Sequence, residues 1–349
     1  MGKKIIRVIA VVLIPVVCLY LLTLLLTPKY VNDIPEGSMI AEYYKSEKNN
    51  DVLILGDCEV YENISTVKMW EEYGITSYIR GSSEQLIWQS YYLLEDTLKH
   101  ETPKVVVLSM LAMSEADAKS EAYNRMTLDG MRWSKSKWNS IKESMTEKET
   151  MGSYIFPLLR YHSRWSELSS DDIKYMFNKP KVTSNGYLMQ VGVRPVTTVP
   201  KVSPLANYTF SDRNYEYLDK IKDLCNEKGI KLVLIKAPSI FPHWYEWESQ
   251  IQDYANENNL LYLNMVDKAD EIGLDYTTDT FDYGQHLNVD GAEKTAVYLG
   301  NILKDQYRLT DHRGESETAS QWNKIVSDYN SLKTKKQEAW NNSLNGGSQ

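Results

Sequence analysis

Five short apolar runs punctuate this chain, at Val52–Leu55, Thr76–Ile79, Val105–Leu108, Lys231–Ile235 and Leu260–Leu263. Each has the length of a strand and is rich in β-branched residues or leucine, with turn-forming or polar residues at its borders. The segments between them carry apolar positions at helical spacing: Val67–Tyr73, closed by Gly74; Glu84–Lys99, with Leu86, Trp88, Tyr91, Leu94 and Leu98 on or near one face; then Asn214–Asn226, Trp244–Asn256 and Gly291–Lys304. This alternation predicts an α/β fold, a three-layer αβα sandwich with a mainly parallel five-stranded sheet covered by helices on both faces.

The alternation is interrupted once. After the third strand come about 95 residues rich in Trp, Tyr, Arg and Met, a length that a compact domain does not leave as plain loop. Its first part, including Glu121–Arg125, Met131–Trp133 and Tyr154–Trp165, reads as helical. Lys179–Ser203, broken by Pro180, Asn185-Gly186, Pro195 and Pro200, reads as an irregular or hairpin-like cap. Such an insertion at the carboxyl edge of a sheet forms a lid or a substrate wall, or simply packs its aromatics onto the body. A linker with Pro28, Pro35 and Gly37 precedes a short amphipathic helix over Met39–Lys48. From Asp311 the chain turns polar, with one helix at Gln321–Trp340 and a Gly-Gly-Ser-Gln end, and reads as peripheral.

The N-terminus reads as a membrane anchor. Val8–Leu26 is 19 residues without a charge, about 28 Å as a helix, close to the ~30 Å hydrocarbon core. Lys3, Lys4 and Arg7 precede it, so the expectation is a single-pass protein with its N-terminus cytoplasmic and its main domain extracytoplasmic. The expected organisation is thus an anchor over 1–28, a linker and short helix over 29–49, a main domain over 50–310 with an insertion at about 114–210, and a tail over 311–349.

Composition narrows the function classes. Of 349 residues 42% are hydrophobic and 25 are tyrosines, which describes a well-cored globular body. A net charge of −8 lacks the basic footprint of a nucleic-acid binder. The three cysteines, at 18, 58 and 225, show no metal-ligand spacing, and no motif calls for a cofactor.

Candidate chemistry sits at two distant places. The first strand runs into Gly56-Asp57-Cys58, which puts a thiol at the carboxyl end of a strand, where open α/β sheets place their ligands. A strand end turning into a helix, with an imidazole nearby, would lower the thiol pKa and populate the nucleophile. A buried structural cysteine is the plainer alternative. The second place is Asp282-Tyr283-Gly284-Gln285-His286. Among His100, His162, His243, His286 and His312, only His286 has a carboxylate four residues upstream across a tight turn. Asp282 could hold one ring nitrogen while the other faces a nucleophile; Asp279 is a second candidate, and a helix-capping histidine is the alternative. An oxyanion would be met by the Cys58 backbone N–H, by Gly81 after the second strand, and by the Ser109 hydroxyl after the third. Ser82 and Ser83, with Gln85, read as caps for the following helix. Asp57, Glu59 and Tyr61 flank the nucleophile.

Taken together these residues resemble the SGNH (GDSL-type) hydrolase superfamily, over roughly residues 50–305. Gly56-Asp57-Cys58 stands where that family has Gly-Asp-Ser, Gly81 where it has a glycine after strand two, Ser109 where it has an asparagine, and Asp282-x-x-x-His286 where it has Asp-x-x-His. His286–Ala292 and the N-terminal apolar run resemble the membrane-anchored bacterial branch that includes the DltD proteins of teichoic acid D-alanylation and the alginate acetylation proteins. The resemblance implies an acyltransferase or esterase with a Cys58–His286–Asp282 triad. It further implies an acylated glycan or cell-wall polymer as substrate, and a multi-span membrane O-acyltransferase as partner. Cysteine for serine, one extra residue between Asp and His, and no third-block asparagine depart from the pattern. They leave open a catalytically silent binding or scaffold module built on the same fold.

Overall fold

In the computed structural model, residues 2–28, 30–31, 34–199, 201, 203–240 and 244–346 are described; His243, Pro200 and the last three residues of the expected tail lie outside them. Five strands form one parallel sheet: β1 Val52–Gly56, β2 Ser77–Gly81, β3 Val105–Ser109, β4 Lys231–Lys236 and β5 Leu261–Asn264, in the order β2-β1-β3-β4-β5. The principal helices are α1 Gly2–Leu26, α2 Cys58–Asn63, α3 Thr66–Tyr73, α4 Ile87–Thr97, α5 Asp212–Lys228, α6 Trp244–Glu257, α7 Val289–Tyr307 and α8 Ser316–Gly346.

The strands explain the layering. Because side chains alternate along a strand, Leu53, Leu55, Val106, Leu108, Leu232 and Leu234 face one way, into a core with Trp88, Leu94, Leu218, Ile221, Trp244 and Ile251 of α4, α5 and α6. Val52, Ile54, Val105, Val107, Val233 and Ile235 face the other way, into a core with Val60, Val67, Ala296 and Leu299 of α2, α3 and α7. The sheet is therefore covered on both faces, as the unbroken apolar runs predict.

Local chemistry sets the helix ends. Ser65 caps α3 by accepting from the Lys68 N–H, and Gly74, at φ 67°, closes it in the left-handed region. Asn288 caps α7 by accepting from Asp290 and Gly291. The fourth helix begins at Ile87, later than expected, because Glu84 adopts a positive φ of 54°. Neither Ser82 nor Ser83 caps it: Ser82 bonds the Gln85 and Thr127 side chains, and Ser83 bonds the Tyr61 hydroxyl.

The insertion contains helices Glu121–Leu128, Lys135–Ser144 and Ser170–Phe177. It then returns as a strap over 182–196, where Asn185-Gly186, at φ 49° and 84°, makes the turn between paired Ser184 and Tyr187. The C-terminal helix is longer than the sequence indicates and is part of the body. Trp322 stacks on Trp70 at 5.0 Å, Tyr329 is buried, Lys336 Nζ donates to Met189 O at 2.7 Å, and Trp340 lies against Gly192.

Among the described residues no helix is long and apolar enough to cross a membrane. This overturns the expected anchor and, with it, the expected single-pass placement of the main domain. The last turn of α1 is spent on the protein body: Leu26 is buried, and the Arg164 guanidinium donates to its carbonyl at 2.8 Å. Removing that half-buried end leaves Val8–Leu22, about 22 Å of helix against a ~30 Å hydrocarbon core.

Candidate active site

The first strand ends where the sheet order reverses, so the segment after it opens into the crevice between β1 and β3. Gly56 makes this possible. Its φ is 154°, and a Cβ there would meet Ser109 Cβ at 2.5 Å, so a side chain would drive β1 and β3 apart. Asp57 caps α2 by accepting from the Glu59 N–H at 3.1 Å. Cys58 is the first residue of α2 and is half-buried. Gly81 pairs in register with Gly56, one strand over.

The second element is a closed loop between Thr280 and Leu287, which pair as an isolated bridge. Thr280 Oγ1 donates to His286 O at 2.8 Å and accepts from Gly284 N at 2.7 Å, drawing the loop together. Asp282 grips His286 twice: Oδ1 accepts from its backbone N–H at 2.7 Å, and Oδ2 lies 2.6 Å from ring Nδ1. Phe281 stacks on the ring at 6.1 Å. Asp279 is engaged elsewhere, with Lys294 Nζ at 2.6 Å and Asp275 N at 2.8 Å. Of the two carboxylates considered from sequence, Asp282 is therefore the one at the imidazole.

Asn63 joins the two elements. Fully buried at the end of α2, it accepts from Leu287 N at 2.8 Å and donates to Pro238 O at 2.8 Å. With the loop pinned to α2, the His286 ring comes close enough to the Cys58 side chain for the two to interact. Thiol, imidazole and carboxylate thus form a connected series. A second carboxylate, Glu62, places Oε2 at 3.5 Å from the same Nδ1, while Gln190 of the strap donates to its Oε1 at 2.8 Å.

The electrostatics differ from the expectation of a lowered thiol. Burial pushes the Cys58 pKa up to about 12, with the hydrogen bond and charge of His286 opposing it. Asp57 and Glu62 add negative charge that raises it further. For His286, burial acts to lower the pKa, but the Asp282 hydrogen bond and the interactions with Cys58 and Glu62 carry it up to about 12. Burial and then the Glu59 charge raise Asp57 to about 7.

Other expected site residues have structural duties. The Asp57 carboxylate is occupied as a cap. Ser109 is fully buried, and its hydroxyl accepts from Leu111 N at 3.3 Å. Glu59 lies in a buried ion pair with Lys236, whose Nζ also reaches Ala237 O and Ser239 Oγ. Tyr61 is buried against Ser83. Sequence reasoning missed Glu62, Asn63, Gln190 and Lys236. The spacing of Cys58 and Glu62, one helical turn apart, was the available signal for the first. A cavity of about 380 Å³ lies apart from all of these, against Tyr78 of the edge strand, with Lys45, Lys179 and Asn185 in its wall.

No family model matches the chain. No curated protein matches it either. Among solved structures it is similar to a presumed acylhydrolase from Bacteroides fragilis, with TM-score 0.38, 12% identity, and coverage of 78% of this chain and 95% of that one. It is also similar to a GDSL-like lipase from Bacteroides thetaiotaomicron, with TM-score 0.37, 12% identity, and coverage of 77% and 99%. At these scores the likeness carries no argument about chemistry.

Proposed function

We propose that this chain is an acyl-transfer enzyme, an esterase or O-acyltransferase, with Cys58 as nucleophile, His286 as proton carrier and Asp282 as the acid that holds His286. The observation that carries this reading is the Asp282–His286 hydrogen bond at the carboxyl edge of the sheet, with the Cys58 thiol interacting with the same imidazole. The first half-reaction proceeds from the minor form of His286 that has lost a ring proton, since the resting ring is held protonated: the thiol proton passes to that imidazole as sulfur attacks an ester carbonyl, and the leaving alcohol takes the proton away, giving a thioester on Cys58. In the second, water or an acceptor hydroxyl gives its proton to His286 and attacks the thioester, and the thiol is restored. The Cys58 and Gly81 backbone N–H groups are the donors for the tetrahedral oxyanion.

Donor and acceptor of this chemistry are esters and hydroxyls, which an acylated glycan or cell-wall polymer supplies. The multi-span O-acyltransferase expected beside a membrane anchor is not carried into this reading, because the anchor it depended on is not supported.

The binding-module reading draws on the raised Cys58 thiol and the occupied Ser109 hydroxyl. One experiment separates the two. The full chain is incubated with p-nitrophenyl acetate, and the acetyl adduct is located by peptide mass spectrometry. An acetyl group on Cys58, absent in His286→Ala, is expected of the enzyme. No adduct on Cys58 at any pH between 7 and 10 would leave the module.

A further inference from the structure

We propose that Glu62 is a positioning residue of this site, a second carboxylate that shares the Nδ1 side of His286 with Asp282 and, with it, fixes the ring and keeps a proton on that nitrogen. The proposal rests on the functional reading above only for its purpose; its geometry stands alone.

Three observations converge. Glu62 sits one turn after Cys58 on α2, so nucleophile and carboxylate share a helix face. Its Oε2 is 3.5 Å from His286 Nδ1, whose 2.6 Å contact with Asp282 comes from the opposite end of the chain. Its other oxygen is held by Gln190 at 2.8 Å, and the side chain is 9% exposed, so the carboxylate is fixed by the fold and shielded from water. A buried carboxylate is costly unless it has partners, and the two that lie closest, His286 and Gln190, belong to the site and to the strap.

The groups facing Glu62 come from four elements. Cys58 and Tyr61 lie on its own helix, His286 and Asp282 on the loop, Gln190 and Tyr187 on the strap, and Lys336 on α8. Burial raises the Glu62 pKa, and the His286, Gln190 and Lys336 partners oppose that rise. When ionised, Glu62 stabilises an imidazolium and opposes a thiolate, so it raises the proton affinity of both reacting groups.

The test follows the rate of Cys58 alkylation by iodoacetamide against pH in the full chain, with the downfield Nδ1–H resonance of His286 as a second readout. Glu62→Gln keeps the shape and removes the charge. The alkylation midpoint is expected to fall by about one pH unit, and the resonance to move. Glu62→Asp keeps the charge but withdraws it by one methylene, so it shifts both readouts less. A purely structural role predicts that neither moves in folded protein, and that result overturns the proposal. Should Glu62→Gln not fold, Glu62→Asp decides alone, since an unchanged midpoint and resonance there also overturn it. Alkylation needs no turnover, so the two readings fail separately. Loss of the acetyl adduct defeats the enzyme, and an unmoved midpoint with acetylation intact defeats only Glu62.

Discussion

Replacing Lys236 with methionine removes the cation from the buried pair that it forms with Glu59 of α2. Lys236 is fully buried, and Nζ contacts Glu59 Oε1 at 2.9 Å, Oε2 at 2.7 Å, Ala237 O at 3.0 Å and Ser239 Oγ at 2.8 Å. Glu59, 3% exposed, would keep a carboxylate in the core without its counter-charge. Breaking one side of a buried pair costs about 3–5 kcal/mol, a large share of a total stability of about 5–15 kcal/mol. Removing both partners is far milder. The double variant Lys236→Met/Glu59→Met escapes the unpaired charge and loses mainly the bonds to Ala237 and Ser239, about 1–3 kcal/mol. In urea, with a slope of about 3 kcal/mol per M for a chain of this size, the single variant should lower the midpoint by roughly 1–1.7 M. The double variant should recover about half of that. Equal midpoints for wild type and Lys236→Met at an unchanged slope would refute the argument, as would single-variant losses that simply add in the double.

Asp282→Asn abolishes the anionic partner of both the His286 backbone and ring; acylation of Cys58 by p-nitrophenyl acetate should slow by about 10²–10⁴-fold, measured as the pre-steady-state burst rate. Because the Cys58 thiol is raised to about 12, its alkylation by iodoacetamide should still be climbing above pH 9; a plateau below pH 7 would show a preformed thiolate–imidazolium pair. The same pKa directions affect stability: thiol and imidazole both bind protons more tightly when folded, so their contribution is full below about pH 6.5, the unfolded imidazole value, and is lost as pH rises toward about 12. The urea midpoint of Cys58→Ala/His286→Ala should accordingly fall less between pH 7 and 10 than that of wild type. Asn63→Ala leaves the Leu287 N–H and Pro238 carbonyl buried without their partner, which should cost about 1–3 kcal/mol in urea unfolding and lower the acylation rate more than the ester concentration at half-saturation.

The sheet was legible because its strands are short runs of Val, Ile and Leu that bury both faces. Val52–Leu55 and Val105–Leu108 each needed only one more residue, Gly56 and Ser109, to match the structure. Cys58, His286 and Asp282 were legible because each stands at an element's edge beside glycine or a turn. The six residues of α2 were not, since they are too few to show a period, and Glu62 and Asn63 were lost with them. The strap left no regular pattern to read because its backbone bonds go to scattered partners such as Tyr61 and Thr280. The C-terminal helix read as peripheral because its packing residues, such as Trp322, Ile325, Tyr329 and Leu332, are spread through a polar background. The apolar N-terminus was overread, since sequence does not tell which of its leucines pack on the body. The thiol shift was misjudged because burial around Cys58 outweighs its imidazole neighbour.

The bond from Leu287 N to Asn63 spans 224 positions, which has a consequence for timing. During synthesis the thiol leaves the ribosome long before the imidazole exists, and Gln190 and then His286 follow in turn. A nascent chain thus carries the sulfur without the imidazole, and the two meet only when the loop near the end closes onto a helix made near the start.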